Sequence, residues 1–90
     1  MKPPPYIDGA LILEWAWSET PFGHVRFDDG SIAAAIHGLA IGRYPNSEVV
    51  YRFSCNAQWE TQQDADYASV DEAKSLPEQY GSAPANWSKV

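Results

Sequence analysis

The chain has 90 residues, 44% of them hydrophobic and 13% aromatic, and it carries 12 acidic against 6 basic side chains for a net charge of −6. A chain of this length forms one domain, which buries roughly 60–65% of its unfolded surface. The negative charge disfavours direct binding to nucleic acid or to an anionic membrane, and it favours a neutral-to-basic protein partner. Cys55 is the only cysteine, which excludes an intramolecular disulfide. No long apolar segment near the amino terminus predicts a signal or an anchor, so we expect a cytoplasmic protein.

The first eight residues contain Pro3, Pro4 and Pro5, and they predict an extended Pro-rich leader (residues 1–8) ahead of a single α+β domain over residues 9–90. Residues 10–18 then alternate strongly. The side chains fall into two sets, Leu11, Leu13, Trp15 and Trp17 on one side and Ala10, Ile12, Glu14 and Ala16 on the other. Because the second set is only half polar, the pattern predicts a strand in the centre of a sheet.

A second strand is predicted over residues 22–27, and the turn dipeptide Asp29-Gly30 follows it. A two-residue turn at this dipeptide pairs Phe27 with Ile32 and keeps the apolar side chains on one face.

Residues 32–41 form the least certain element of the pattern. Their alanine content and the spacing of Ile36 and Leu39 suit a helix, whereas Gly38, Gly42 and the preceding turn favour an extended segment. We choose a strand.

A second hairpin is predicted from two alternating runs, residues 48–54 and 58–67. A three-residue loop at 55–57 sets Phe53 opposite Trp59, whereas a two-residue turn mixes the faces. The outer face of the second run is acidic.

A helix is predicted to begin after this hairpin, because Ser69 and Glu72 have the spacing of a capping box. Val70, Ala73, Leu76 and Tyr80 give it one apolar stripe. Pro77 predicts either a kink or an end near Leu76, with Gly81 as the stop.

These elements predict an α+β fold with about five antiparallel strands in two hairpins and one C-terminal helix packed on one face of the sheet. Four segments resemble small uncharacterised bacterial proteins over about half the chain: residues 40–45 (Ala-Ile-Gly-Arg-Tyr-Pro), 51–56 (Tyr-Arg-Phe-Ser-Cys-Asn), 59–60 (Trp-Glu) and 69–74 (Ser-Val-Asp-Glu-Ala-Lys). The resemblance implies a bacterial source and no particular activity.

No catalytic, metal or cofactor site is predicted from the sequence. His24, His37 and Cys55 are the only soft metal ligands, and they lack the local spacing that zinc sites have. Asp64 and Asp66 lie in an acidic cluster whose polar neighbours give no sign of a raised carboxyl pKa. We therefore interpret the cluster as a solvated acidic face and expect no enzyme.

We expect a small non-enzymatic interaction module that acts through an aromatic sheet face or a sheet edge. The candidate surface comprises apolar residues that the predicted helix leaves uncovered together with the acidic hairpin: Ile12, Ala16, Ile36, Leu39, Val50, Glu60, Asp64 and Asp66. An uncovered apolar face predicts a homodimer, or else a neutral-to-basic protein partner. One alternative is an acidic immunity or inhibitor protein that blocks a basic site on an enzyme. Another is a small-ligand-binding protein in which Trp15, Trp17 and Trp59 line a pocket.

Overall fold

A computed structural model of the chain describes residues 1–75 and 85–90. The described part contains eight strands and one short helix: β1 (Tyr6–Ile7), β2 (Ala10–Trp17), β3 (Gly23–Arg26), β4 (Ile32–Ile36), β5 (Gly38–Arg43), β6 (Val50–Cys55), β7 (Thr61–Tyr67), α1 (Val70–Ser75) and β8 (Ser88–Lys89). The main sheet is antiparallel and has the order β1-β2-β5-β6-β7, with β8 added to β2 on the same side as β1. The fold is therefore mostly antiparallel sheet with a small helix, which confirms the α+β prediction in outline.

The segment predicted as one strand over residues 32–41 is two strands. Residues up to Ile36 pair with β3 in a separate two-stranded sheet, and residues from Gly38 pair with β2 and β6. The chain changes sheets at His37, whose carbonyl oxygen accepts from Ser18 N–H at 2.9 Å and whose own N–H donates to Cys55 O at 3.0 Å. A single straight strand has two edges, so it cannot pair with β2, β3 and β6 at once.

The loop between β3 and β4 has three residues, 28–30, whereas a two-residue turn at Asp29-Gly30 was predicted. Phe27 N–H donates to Ser31 O at 2.8 Å, and Gly30, in the left-handed region at φ +88°, donates to Phe27 O. This is the three-residue loop with a left-handed last residue. The predicted pairing of Phe27 with Ile32 is wrong, because the extra residue places Ile32 opposite Arg26.

A β-bulge at Leu13 divides β2 into two halves with opposite alternation. Ile12 pairs with Gly42 while Glu14 pairs with Ile41, so that Leu13 is the inserted residue. The predicted face of Leu11, Leu13, Trp15 and Trp17 is therefore wrong. Trp15 and Trp17 share a face with Ile12, and Leu11 lies on the opposite one.

The face that carries Trp15, Trp17, Tyr51 and Phe53 is called the aromatic face. Its middle strand presents only Gly38, Ala40 and Gly42, as the cross-strand pairs show. These small residues leave room for the large rings on both sides, and the resulting cluster includes buried Ile7, Ala10, Ile12, Phe53, Cys55 and Trp59.

The opposite face, with Ala16, Leu39, Ile41 and Val50, is called the helix face. Helix α1 packs there against β6 and β7 and buries Ala73. The β3–β4 sheet covers the other end, where Phe22 and Ile36 pack on Ala16 and Leu39. All these apolar side chains have at most 1% of their surface exposed, so the helix and the small sheet cover this part of the face.

Two polar contacts fix α1 across the sheet. Buried Arg52 donates to Ala73 O at 2.6 Å and lies 4.9 Å above the ring of Tyr67. Lys74 Nζ donates to the nearly buried Glu14 carboxylate at 3.0 Å. The helix packs on β6 and β7, and the Lys74 side chain reaches from it to β2. The predicted positions Leu76, Pro77, Tyr80 and Gly81 lie outside the described residues.

The start of α1 agrees with the sequence. Ser69 Oγ accepts a hydrogen bond from Glu72 N–H at 3.1 Å, which confirms Ser69 as the N-cap. In the described part of the chain, no helix is long and apolar enough to cross a membrane.

The loop between β6 and β7 is shifted by two residues from its predicted position. Asn56 N–H donates to Glu60 O at 3.0 Å, and Trp59 takes the left-handed position at φ +61°. This loop alone would set Phe53 opposite Gln63, and a register shift between Ser54 and Cys55 moves Phe53 opposite Asp64, so that it does not face Trp59. Trp59 still reaches the core, since its ring lies over Gly38 and only 7% of the residue is exposed.

Candidate interaction site

Strand β7 is one end of the main sheet, and no strand of the described part pairs with its outer side. The strand is seven residues long, and Gln62, Asp64, Ala65 and Asp66 are exposed. An edge strand of this kind presents backbone N–H and C=O groups to a further strand. Carboxylates on an edge strand also discourage pairing with neutral or acidic strands of other chains. They therefore favour a partner strand that carries positive charge.

Asp64 and Asp66 point to the aromatic face. Asp64 is directly opposite Phe53, and Asp66 is opposite Tyr51. Cross-strand partners share a face, so the two carboxylates stand at the rim of the aromatic cluster. Their spacing of two residues places both charges on the same side of the edge.

Tyr44 joins this rim from the turn that follows β5. Its ring meets Tyr51 edge to face, with 5.3 Å between the centroids. Burial, followed by the negative charges of Asp8 and Asp64, raises the pKa of the Tyr44 hydroxyl. The charges of Asp8 and Asp64 thus act on the same ring. Asp8, Asp64, Asp66, Tyr44 and Tyr51 are together called the acidic rim.

The acidic rim can hold cationic groups. Carboxylates attract an ammonium or guanidinium group, and tyrosine rings add a cation–π contribution where the cation lies over a ring face. No group of three or more His, Cys, Asp or Glu side chains within residues 1–75 and 85–90 is arranged to hold a metal ion. The carboxylates and tyrosine rings of the rim suit an organic cation or a basic side chain.

Glu60, which was predicted to belong to the same surface, lies in the loop before β7. Its carboxylate accepts from Asn56 Nδ2 at 2.8 Å, and the Asn56 side chain in turn accepts from Gln58 and Glu60 N–H groups. The Glu60 side chain is exposed, but its hydrogen bond to Asn56 stabilises the loop.

The five apolar residues of the predicted surface are buried. Their exposed fractions are at most 1%, and the residues are Ile12, Ala16, Ile36, Leu39 and Val50. The prediction of an uncovered apolar face is wrong for two physical reasons. The bulge at Leu13 places Ile12 on the aromatic face, where it is buried in the aromatic cluster. The β3–β4 sheet covers Ala16 and Leu39.

The rings of Trp15, Trp17 and Trp59 lie close together, as the hypothesis of a small-ligand-binding protein predicted. Trp59 lies 5.5 Å from Trp17 and 6.4 Å from Trp15 between ring centroids, and Trp17 stacks on His37 at 5.8 Å. The indole N–H groups of Trp15 and Trp59 are buried and find no acceptor in the described part of the chain.

Cys55 and the histidines show no nucleophilic pair. Cys55 is fully buried, and burial raises the pKa of its thiol to about 12, so the reactive thiolate is disfavoured. The ring Nδ1 of His37 lies 3.0 Å from Ser18 O. His24 lies on β3, in the separate two-stranded sheet.

The sequence named Asp64 and Asp66 as candidate residues, and it did not name Asp8, Tyr44 or Tyr51. Asp8-Gly9 was a usable signal, since it is a two-residue hairpin turn with φ values of +50° and +85°. The approach of Tyr44 to β7 depends on the register of three strands, and no local pattern encodes it.

Comparison of the chain with family models, curated proteins and solved structures found no match. The resemblance to small bacterial proteins stays a prediction.

Proposed function

We propose that the protein is a non-enzymatic interaction module that binds a basic segment of another protein along β7. The segment adds as a further strand to the edge of the sheet, and its lysine or arginine side chains meet the acidic rim. The observation that carries the proposal is the position of Asp64 and Asp66 on an exposed edge strand, both directed towards the aromatic face.

Strand addition explains why the charges and the edge occur together. Backbone hydrogen bonds to β7 provide affinity that does not depend on sequence, and alternate side chains of the added strand provide specificity. The side chains that lie beside Asp64 and Asp66 are two residues apart in the added strand. A segment with lysine or arginine at alternate positions satisfies both carboxylates, whereas an acidic segment is repelled.

The acidic charge also supports the alternative of an inhibitor that imitates a polyanion and occupies a basic site on an enzyme. Such an inhibitor needs the net charge of −6 and the exposed carboxylates but no pairing with the β7 backbone. The two functions differ in salt dependence, because long-range attraction is screened beyond about 10 Å at 0.1 M salt while backbone hydrogen bonds are not.

A labelled synthetic peptide of alternating lysine and valine tests the proposal by fluorescence anisotropy. We expect saturable binding that the double substitution Asp64→Asn/Asp66→Asn weakens about fivefold or more at low salt. The double substitution Glu19→Gln/Asp28→Asn is the matched control. It removes two exposed charges outside β7 and makes the same change in net charge.

Three results would overturn the proposal. They are equal binding of a peptide of alternating glutamate and valine, equal losses in the β7 and control variants, and complete loss of binding in high salt. The second and third would favour diffuse electrostatic attraction, as the inhibitor function requires.

A further inference from the structure

A groove on the helix face lies between the β1–β2 hairpin and the turn after β5. Its volume is about 370 Å³, and its walls are formed by Tyr6, Leu11, Leu13, Arg43 and the turn residues 44–46. A volume of this order falls in the range of small-molecule sites. The groove shares Tyr44 with the acidic rim, but its other walls lie on β1, β2 and the turn after β5, and the carboxylates of Asp64 and Asp66 stand on β7 at the far end of the sheet.

Cross-strand register assembles the floor of this groove. Tyr6 pairs with Leu11, and Leu11 pairs with Arg43, so three side chains from three adjacent strands form one row on the helix face. The bulge places Leu13 beside this row. Leu11 and Tyr6 keep 45% and 60% of their surface exposed, although neighbouring apolar residues of the same face are buried.

The chemistry of the groove differs from that of the rest of the surface. The protein has a net charge of −6, yet none of the described residues that line the groove is acidic, and one of them is the exposed Arg43. Within the described part of the chain, no carboxylate forms a salt bridge with Arg43. A guanidinium group at the edge of an apolar groove provides two parallel donors for a carboxylate.

We propose that this groove binds a small amphipathic carboxylate, with the carboxylate on Arg43 and an aromatic or branched apolar group against Tyr6, Leu11 and Leu13. The charge of Arg43 selects the anion, and the apolar walls select its tail. The site does not depend on the proposed function of β7, and each can fail without the other.

Binding is measured by titration of the ¹⁵N-labelled protein with three probes of the same shape: phenylbutyrate, phenylbutyramide and phenylbutylamine. We expect saturable shifts of the Leu11, Leu13 and Arg43 amides with phenylbutyrate, with a Kd of about 1 mM or below. The neutral amide binds at least about tenfold more weakly, because it lacks the charge-assisted hydrogen bond, and the amine does not saturate.

Two substitutions and one control separate this site from nonspecific binding. Arg43→Gln is expected to weaken phenylbutyrate about tenfold while leaving phenylbutyramide unchanged. Leu11→Ser, at an exposed position, is expected to weaken both probes. Arg26→Gln, an exposed arginine on the β3–β4 sheet, leaves both unchanged. Unaltered spectra elsewhere establish that each variant is folded.

The proposal is overturned if phenylbutyrate and phenylbutyramide bind equally, if Arg43→Gln and Arg26→Gln have the same effect, or if no probe produces saturable shifts at the groove. The peptide experiment on β7 is unaffected by any of these outcomes, because Asp64 and Asp66 lie on the other edge of the sheet.

Discussion

Cys55 provides a pH-dependent test of the core, because burial raises the pKa of its thiol from about 9 in the unfolded chain to about 12. Unfolding then releases the thiol proton between these values, so the stability that the protonated thiol carries is present below pH 9 and is lost as the pH rises towards 12. In this window the free energy of unfolding of the wild type falls more steeply with pH than that of Cys55→Ala. The difference reaches about 1.4 kcal/mol per pH unit. Urea denaturation of both proteins on either side of pH 9 measures it, and parallel slopes would contradict the burial of the thiol.

Gly38 and Trp59 provide a test of the aromatic cluster. A Cβ added at residue 38 would lie 2.5 Å from Cζ3 of Trp59, so the indole must move. We expect Gly38→Ala to lower the free energy of unfolding by about 1–3 kcal/mol, as overpacking of a core does. In a Trp59→Leu background the same substitution should cost much less, because the smaller side chain leaves room. A double-mutant cycle by urea denaturation gives the coupling, and additive effects would show that the ring does not cover Gly38.

Individual residues of the candidate site could be predicted only where the pattern was local. Asp64 and Asp66 stand out because β7 alternates, but the sequence predicted them on the face away from Phe53. The register shift between Ser54 and Cys55 places them on the same face as Phe53. Asp8 and Tyr44 lie in two different turns that the strand order brings together, and no local pattern encodes their approach to β7. The burial of Phe53 and Trp59 was predicted correctly, although they are not cross-strand partners.

The cap of α1 is an element whose contribution is measurable. Ser69 Oγ accepts from Glu72 N–H, and an aspartate at this position can accept the same bond. We expect Ser69→Ala to lower the free energy of unfolding by about 1 kcal/mol and Ser69→Asp to be nearly neutral. Urea denaturation of the two variants decides this. Equal losses would argue against a cap.

Strands and helix start were predictable as elements, whereas their connections were not. The two loops of three residues each end in a left-handed residue, Gly30 in one and Trp59 in the other. A tryptophan is an unfavourable choice for this conformation, so local preference pointed elsewhere. Trp59 is held there by its packing over Gly38. The bulge at Leu13 likewise has no turn residue to mark it, and it inverted the predicted faces of half of β2.

The surface of the whole molecule bears on its oligomeric state. The apolar residues that predicted a homodimer are buried, and a two-fold pairing of β7 with a second β7 would bring the carboxylates of Asp64 and Asp66 towards those of the other copy. Of the two partners predicted from the sequence, this charge favours a basic protein. We therefore expect sedimentation equilibrium at micromolar concentration and low salt to give the mass of one chain. A mass of two chains under these conditions would contradict that expectation.

The exchange of backbone amide hydrogens in β7 is the most direct test of strand addition. The ¹⁵N-labelled protein is measured with and without a saturating peptide of alternating lysine and valine. We predict that alternate amides between Thr61 and Tyr67, those on the outer side of the strand, exchange more slowly when the peptide is bound, because the added strand accepts their hydrogen bonds. The amides of β1, at the opposite end of the sheet, provide the internal control and should be unaffected. Binding of the peptide with no slowing in β7, or with equal slowing in β1 and β7, would contradict the assignment of β7 as the interaction edge.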